Sequence, residues 1–84
     1  MSEKKLESLL KFADRIYYQY GELVSVREGE DEETIVEYPQ KEENAGMPGG
    51  IFRMLLSEFE GKKMSLITIG VQDYTTFYMV FREI

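Results

Sequence analysis

The strongest structural signal in the sequence is a pair of β-rich runs over residues 66–71 and 76–81. β-branched and aromatic residues fill both runs, and Gln72, Asp73 and Tyr74 between them supply a turn. We therefore expect a β-hairpin, which commits this part of the chain to an antiparallel sheet.

Both faces of this hairpin carry apolar residues. Strict alternation places Ile67, Ile69 and Val71 on one face of the first strand, with Met64 and Leu66 on the other. A sheet that is apolar on both faces needs cover on both. Two short helices cover roughly one face. The second face is therefore either closed by loops such as 39–50 or left for a partner or a second copy.

The rest of the chain predicts two helices and two more strands. Apolar residues at three- and four-residue spacing indicate an amphipathic helix that ends at Gly21, with either Ser2 or Ser8 as its N-cap. Strands are expected over 23–28 and 34–38, the second ended by Pro39, and a shorter helix over 51–60. The order α-β-β-α-β-β, with room for a fifth strand at the amino end, fits a single domain over residues 1–84.

The residue types exclude much chemistry. The chain has no cysteine and no histidine, so a disulfide framework, a thiolate metal site and the usual general base are all missing. No serine lies in a nucleophile motif, and the acidic turn expected at residues 30–33 lacks the ligand spacing of an EF-hand. No apolar run approaches the length of a membrane span, and no secretory signal is visible. We expect a non-enzymatic, cytoplasmic protein without cofactor or metal.

The negative charge is concentrated in one stretch. The formal net charge is −6, yet residues 28–43 alone hold eight acids against one base, Lys41. The acids are Glu28, Glu30, Asp31, Glu32, Glu33, Glu37, Glu42 and Glu43. Such a patch repels nucleic acid and attracts a basic surface. It also fits a solvated turn that keeps a small protein in solution.

Three patches together resemble the uracil-DNA glycosylase inhibitors, a family of small acidic proteins. Glu7-Ser8-Leu9 followed by Ala13-Asp14 is similar to the family's Glu-Ser-Ile motif. The segment from Leu23 through the acidic residues to Val36 is similar to its acidic hairpin. Residues 66–73 resemble its penultimate strand and turn. The helix after the first motif is less acidic than the family's can be, and a helix over 51–60 is not obvious in the phage type.

The resemblance implies an α+β fold, with one antiparallel sheet of four to five strands and two helices packed on one side. It also implies a DNA mimic that occupies the DNA-binding groove of uracil-DNA glycosylase in a one-to-one complex. Such a protein does not bind nucleic acid or membrane, and it is monomeric when free. Alternatives from the same residues are an acidic inhibitor of another nucleic-acid enzyme, such as a defence nuclease or CRISPR effector, and a structural homo-oligomer.

The resemblance also implies two sets of site residues. In the first set, Glu7 stands in for a backbone phosphate and accepts charge-assisted hydrogen bonds from the enzyme. The docking residues are Glu7, Ser8, Leu9, Glu28, Glu30, Asp31 and Glu32. The second set forms a pocket for the enzyme's apolar wedge. Its lining is Ile16, Tyr20, Val24, Val36, Ile67 and Ile69.

Overall fold

A computed structural model describes residues 2–42 and 45–84 of the chain, so Glu43, the last acid of the acidic stretch, lies outside the described residues. Two helices and four strands follow in the expected order. They are α1 (Glu3–Tyr20), β1 (Ser25–Glu28), β2 (Glu33–Pro39), α2 (Gly49–Gly61), β3 (Met64–Gln72) and β4 (Thr76–Glu83). All neighbouring strands are antiparallel, in the spatial order β1-β2-β4-β3. The α+β fold with a single antiparallel sheet is confirmed.

Helix α1 begins at the earlier of its two candidate caps. The Ser2 side chain accepts a hydrogen bond from the backbone N–H of Lys5 at 3.2 Å, which satisfies one of the free donors at the helix start. Ser8 therefore lies inside the helix, in its second turn. The expected end is confirmed, because Gly21 has a left-handed φ of 68° and its N–H bonds to the Tyr17 carbonyl oxygen.

The core lies between the two helices and one face of the sheet. Helix α1 buries Leu9, Phe12, Ala13 and Ile16, and α2 buries Ile51, Leu55 and Phe59. Against them the sheet presents alternate residues of β2 and β4, whose pairings include Val36 with Met79 and Thr34 with Phe81. The Phe59 ring stacks on Phe81 with centroids 3.8 Å apart. Both helices therefore cover the same face.

The other face of the sheet has no helix over it within the described residues. Ile35 and Val80 pair across β2 and β4 there, and ion pairs flank them, Arg27 with Glu37 and Arg82 with Glu33. In the loop before α2, Met47 packs against the helix-side core rather than over this face. The described part of loop 39–50 therefore does not cover the second face, which was one of the two alternatives above.

A β-bulge in β3 overturns the expected alternation. Leu66 pairs with Phe81 but Thr68 pairs with Val80, so Ile67 is an extra residue with no partner of its own. Leu66 and Ile69 consequently lie opposite Phe81 and Met79, on the helix-side face. The prediction that Ile67 and Ile69 share a face by strict alternation is therefore wrong, because the inserted residue shifts the alternation by one position.

One smaller boundary also differs from expectation. Strand β1 begins at Ser25 rather than Leu23, whose side chain is exposed ahead of the strand. The turn between β3 and β4 is confirmed, with Asp73 and Tyr74 both at positive φ. In the described ranges neither helix is long and apolar enough to cross a membrane.

Candidate acidic interaction site

The acidic turn joins β1 to β2 and is built from a tight backbone loop. The Glu33 N–H donates to the Glu30 carbonyl oxygen at 2.9 Å, and the Gly29 N–H donates to the Glu33 carbonyl oxygen at 2.7 Å. Asp31 and Glu32 occupy the two central positions with φ of 51° and 63°. Two positive φ values are the mark of a type I′ hairpin turn, where Asn-Gly is the favoured pair. Asp-Glu is an unusual choice here.

The left-handed backbone makes this choice costly. An L-residue with a Cβ loses roughly 1–2 kcal/mol in the left-handed region, and short Asp tolerates it better than Glu. The Glu32 side chain is exposed and forms no described contact that would offset this backbone strain. The turn requires the left-handed backbone but not this side chain, and a strained residue of this kind is a candidate for function.

The charges around the turn divide into paired and unpaired sets. Glu33 contacts Arg82 at 3.1 Å, and Glu37 contacts Arg27 at 2.8 Å, so these two carboxylates are neutralised within the sheet. Glu30, Asp31 and Glu32 are exposed and form no ion pair with another described residue. Glu28, the fourth acid expected in the site, ends β1 and is also exposed. The tip of the hairpin is therefore an outward cluster of carboxylates.

The Glu7-Ser8-Leu9 motif does not form the docking edge that the resemblance implies. All three residues lie in α1, whereas the family's motif ends a strand. Leu9 is only 1% exposed and belongs to the core, so it cannot reach a partner. Glu7 is exposed and contacts Lys11 one turn later, with the carboxylate and ammonium 3.4 Å apart. The helix begins at Ser2 rather than Ser8, so the motif lies within it and its residues point in different directions, Leu9 into the core and Glu7 to the solvent.

Glu7 nevertheless lies toward the same end of the molecule as the acidic turn. Lys5 in the first turns of α1 contacts Glu83 at 3.0 Å, and the neighbouring Arg82 contacts Glu33 beside the turn. The Lys5 ammonium lowers the pKa of the Glu83 carboxyl by donating a hydrogen bond to the carboxylate and by its positive charge. These two ion pairs connect the start of α1, the end of β4 and the acidic turn.

The six residues expected to line an apolar pocket are separated by the fold. Ile16, Val24 and Val36 are buried in the core beneath α1. Tyr20, Ile67 and Ile69 are each about half exposed, with 54%, 46% and 49% of the residue surface accessible. Two strands stand between β1 and β3, so the β3 residues lie at the opposite edge from Val24. Among five concavities on the described surface, one is lined by Tyr20, beside Ile51 and Met54, and none is lined by any of the other five residues.

One polar cluster had no signal in the sequence. The buried Tyr38 hydroxyl donates to one carboxylate oxygen of Glu22 at 2.5 Å, and Lys41 contacts the other at 3.0 Å. Burial, followed by the Glu22 hydrogen bond and charge, raises the pKa of Tyr38 to about 12. The hydrogen bond from Tyr38, and then Lys41, lowers the pKa of Glu22. The cluster ties the segment before β1 to the end of β2.

Within residues 2–42 and 45–84, no three carboxylates are grouped so that they could hold a metal ion. No protein-family model matches the chain, and comparisons with curated proteins and with solved structures give no significant match.

Proposed function

We propose that the chain is a non-catalytic protein inhibitor that mimics DNA and occupies the DNA-binding groove of uracil-DNA glycosylase. One chain binds one enzyme molecule, in the cytoplasm, and the chain does not itself bind nucleic acid. The observation that carries the proposal is the hairpin tip, where Glu30, Asp31 and Glu32 hold exposed carboxylates. The resemblance of three sequence patches to the glycosylase inhibitors names the enzyme to test.

The physical basis is charge complementarity. A groove that binds DNA is lined by cationic and amide donors placed for phosphates, and carboxylates on a rigid hairpin offer such donors alternative acceptors. The type I′ turn limits the backbone freedom of the tip, which reduces the entropy lost on binding. In this proposal Asp31 and Glu32 are the leading contacts, and Glu30 and Glu28 flank them.

A second candidate is an acidic inhibitor of a different nucleic-acid enzyme, such as a defence nuclease or a CRISPR effector. The helical placement of Glu7 favours it. The glycosylase inhibitors dock through a motif at the end of a strand, whereas here Leu9 is core and Glu7 contacts Lys11. The acidic tip suits any basic groove, so the second candidate keeps the same contact residues and changes only the enzyme.

The test is uracil excision from a labelled single-stranded oligonucleotide, with and without the protein. The variant Glu30→Gln, Asp31→Asn, Glu32→Gln removes three charges from the tip. Its matched control removes three exposed charges elsewhere, by Glu3→Gln, Asp14→Asn and Glu60→Gln. Both variants have the same net charge, so a difference in their inhibition depends on where the charges were removed. Electrostatic steering is worth about 10- to 1,000-fold in association rate, and we expect at least tenfold weaker inhibition from the tip variant alone.

Each outcome assigns the activity. Inhibition that the tip variant loses and the control keeps supports the glycosylase as the target. Undiminished excision at micromolar protein rejects the glycosylase as the target, and the same pair of variants is then tested in nuclease assays.

The variant Glu7→Ala tests whether the protein docks through Glu7 as well as through the hairpin tip. If Glu7 forms a buried, hydrogen-bonded contact with the enzyme, its removal should weaken binding by about 2–5 kcal/mol. If Glu7 is an exposed helix residue at the rim of the interface, its removal should change the affinity little.

A further inference from the structure

Strand β3 is an edge strand that is open to a further strand. Its nine residues, Met64–Gln72, contain no charged residue and no proline. Within the described part of the chain it pairs only with β4, so its outer backbone edge is unpaired. Side chains along it are unusually exposed for their type, 36% at Leu66 and 44% at Val71. Long, uncharged, apolar edge strands are templates for pairing with another chain.

The opposite edge of the sheet does not share this character. Strand β1 has four residues, and two of them, Arg27 and Glu28, are charged. Short, charged edge strands are the usual protection against pairing. The sheet therefore has one protected edge and one open edge, which limits association to a closed pair rather than a growing stack of sheets.

The bulge makes the pattern of faces along β3 symmetric about a point close to the middle of the strand. Leu66 and Ile69 lie on the helix-side face, opposite Phe81 and Met79, and Ser65 and Gly70 lie on the other face, opposite Arg82 and Tyr78. A point between Ile67 and Thr68 is equally distant from the two members of each pair. Residues that oppose each other in antiparallel strands must share a face. In an uninterrupted strand, residues at such odd separations would lie on opposite faces, so the bulge creates this register.

The charges at the two ends of β3 complement each other in the same register. Lys62 and Lys63 precede the strand and Asp73 follows it. Lys63 and Asp73 are both exposed, and neither forms an ion pair with another described residue. An antiparallel copy brings the basic end of each strand to the acidic end of the other. A parallel copy would place like charges together.

From these observations we propose that β3 pairs with β3 of a second copy of the chain. The two strands run antiparallel about a twofold axis between Ile67 and Thr68, and Leu66 lies opposite Ile69 of the second copy. The product is a continuous sheet of eight strands, with all four helices on one face. The acidic turns remain free because they belong to the β1–β2 side of each sheet, away from the axis. This inference is independent of the enzyme target, and it replaces the expectation of a free monomer.

The first test is sedimentation equilibrium of the full chain over a concentration series, with Thr68→Lys as the disrupting variant. Thr68 is exposed, and in the dimer its two copies flank the axis, where like charges repel. Ser25→Lys adds the same charge to the protected edge and is the control. We expect Thr68→Lys to weaken dimerisation about tenfold or more, which corresponds to about 1.4 kcal/mol, and Ser25→Lys to leave it unchanged. Thermal melts establish that both variants are folded.

The second test is a charge exchange at the ends of the strand. Lys63→Asp and Asp73→Lys should each weaken the dimer, and the double variant should restore it, because opposite charges again lie one position apart across the two strands. Folding defects in the single variants would not be repaired in this way. Failure of the double variant to recover affinity would reject the antiparallel register.

The third test distinguishes edge pairing from packing of the open sheet faces. The chain has no cysteine of its own, so single spin labels can be placed at Thr68→Cys and Ser25→Cys. Edge pairing puts the two Thr68 positions less than about 10 Å apart and the two Ser25 positions about 34 Å apart, from seven strand spacings of about 4.8 Å. A chain that is monomeric throughout the concentration series, or labels that are close at Ser25, would overturn the proposal.

Discussion

Replacing Asp31-Glu32 by Asn-Gly should make the protein more stable and a weaker inhibitor. Both residues have positive φ in the β1–β2 turn, and Asn-Gly is the pair that a type I′ turn prefers. Relief of the left-handed penalty at Glu32, roughly 1–2 kcal/mol, is the main gain. The greater freedom of glycine in the unfolded chain offsets about 0.5–1 kcal/mol of it. We expect a net gain of about 0.5–1 kcal/mol, or roughly 2–8 °C in Tm for a domain of this size.

The same double variant loses two carboxylates from the tip, so association with a basic groove should slow at low salt. The isosteric variant Asp31→Asn, Glu32→Gln is the matched control, because it removes the same charges but keeps the side chain at the left-handed position. Both variants should lose inhibition equally, and only Asn-Gly should gain Tm over the control. Calorimetry and stopped-flow association rates at two ionic strengths give the two readouts. Equal melting of the two variants would show that the turn stores no strain. Full inhibition by both would remove the tip from the interface.

Three further substitutions test other parts of the structure. Gly70→Ala should cost about 1–3 kcal/mol in urea unfolding, because an added Cβ would lie 2.6 Å from the Tyr78 hydroxyl oxygen; unchanged stability would mean that the ring moves away freely. Ser2→Ala should lower stability by about 1 kcal/mol, with Ser2→Asp as the conservative variant that retains the cap. The protein with Tyr38 should lose stability at high pH as the phenol ionises, and Tyr38→Phe should abolish that part of the pH dependence. The folded protein raises the Tyr38 pKa from 10.0 to about 12, so this contribution is full below pH 10 and is lost as pH rises toward 12. Parallel pH profiles of the two proteins above pH 10 would contradict that assignment.

Local signals in the sequence predicted the elements well. The apolar spacing in α1 includes Leu9, Ala13 and Ile16, three of the four side chains that the helix buries. Gly21 and Pro39 end the elements that they were expected to end. Such signals are read within a few residues of the feature that they describe, so they do not depend on the tertiary arrangement.

The failures concern features that depend on distant parts of the chain. The bulge at Ile67 is visible only in the pairing with β4, and it separates Ile67 from Ile69 in spite of their alternation. The resemblance places Glu7-Ser8-Leu9 at the end of a strand, whereas the start of α1 depends on a choice between Ser2 and Ser8 that periodicity cannot make. The contact between Tyr38 and Glu22 joins residues sixteen positions apart, a separation without a local pattern.

The position of β4 also shapes how the chain reaches its folded state. β4 follows every other element along the chain, yet it lies between β2 and β3, and its Met79 and Phe81 are almost completely buried. Until β4 is in place, the β1–β2 hairpin and β3 share no backbone hydrogen bonds, and each exposes an apolar edge. During synthesis the ribosome must therefore release residues 76–83 before the sheet can close. Such a strand-insertion step has a high loop-closure cost, and it leaves the nascent chain open to aggregation until it is complete.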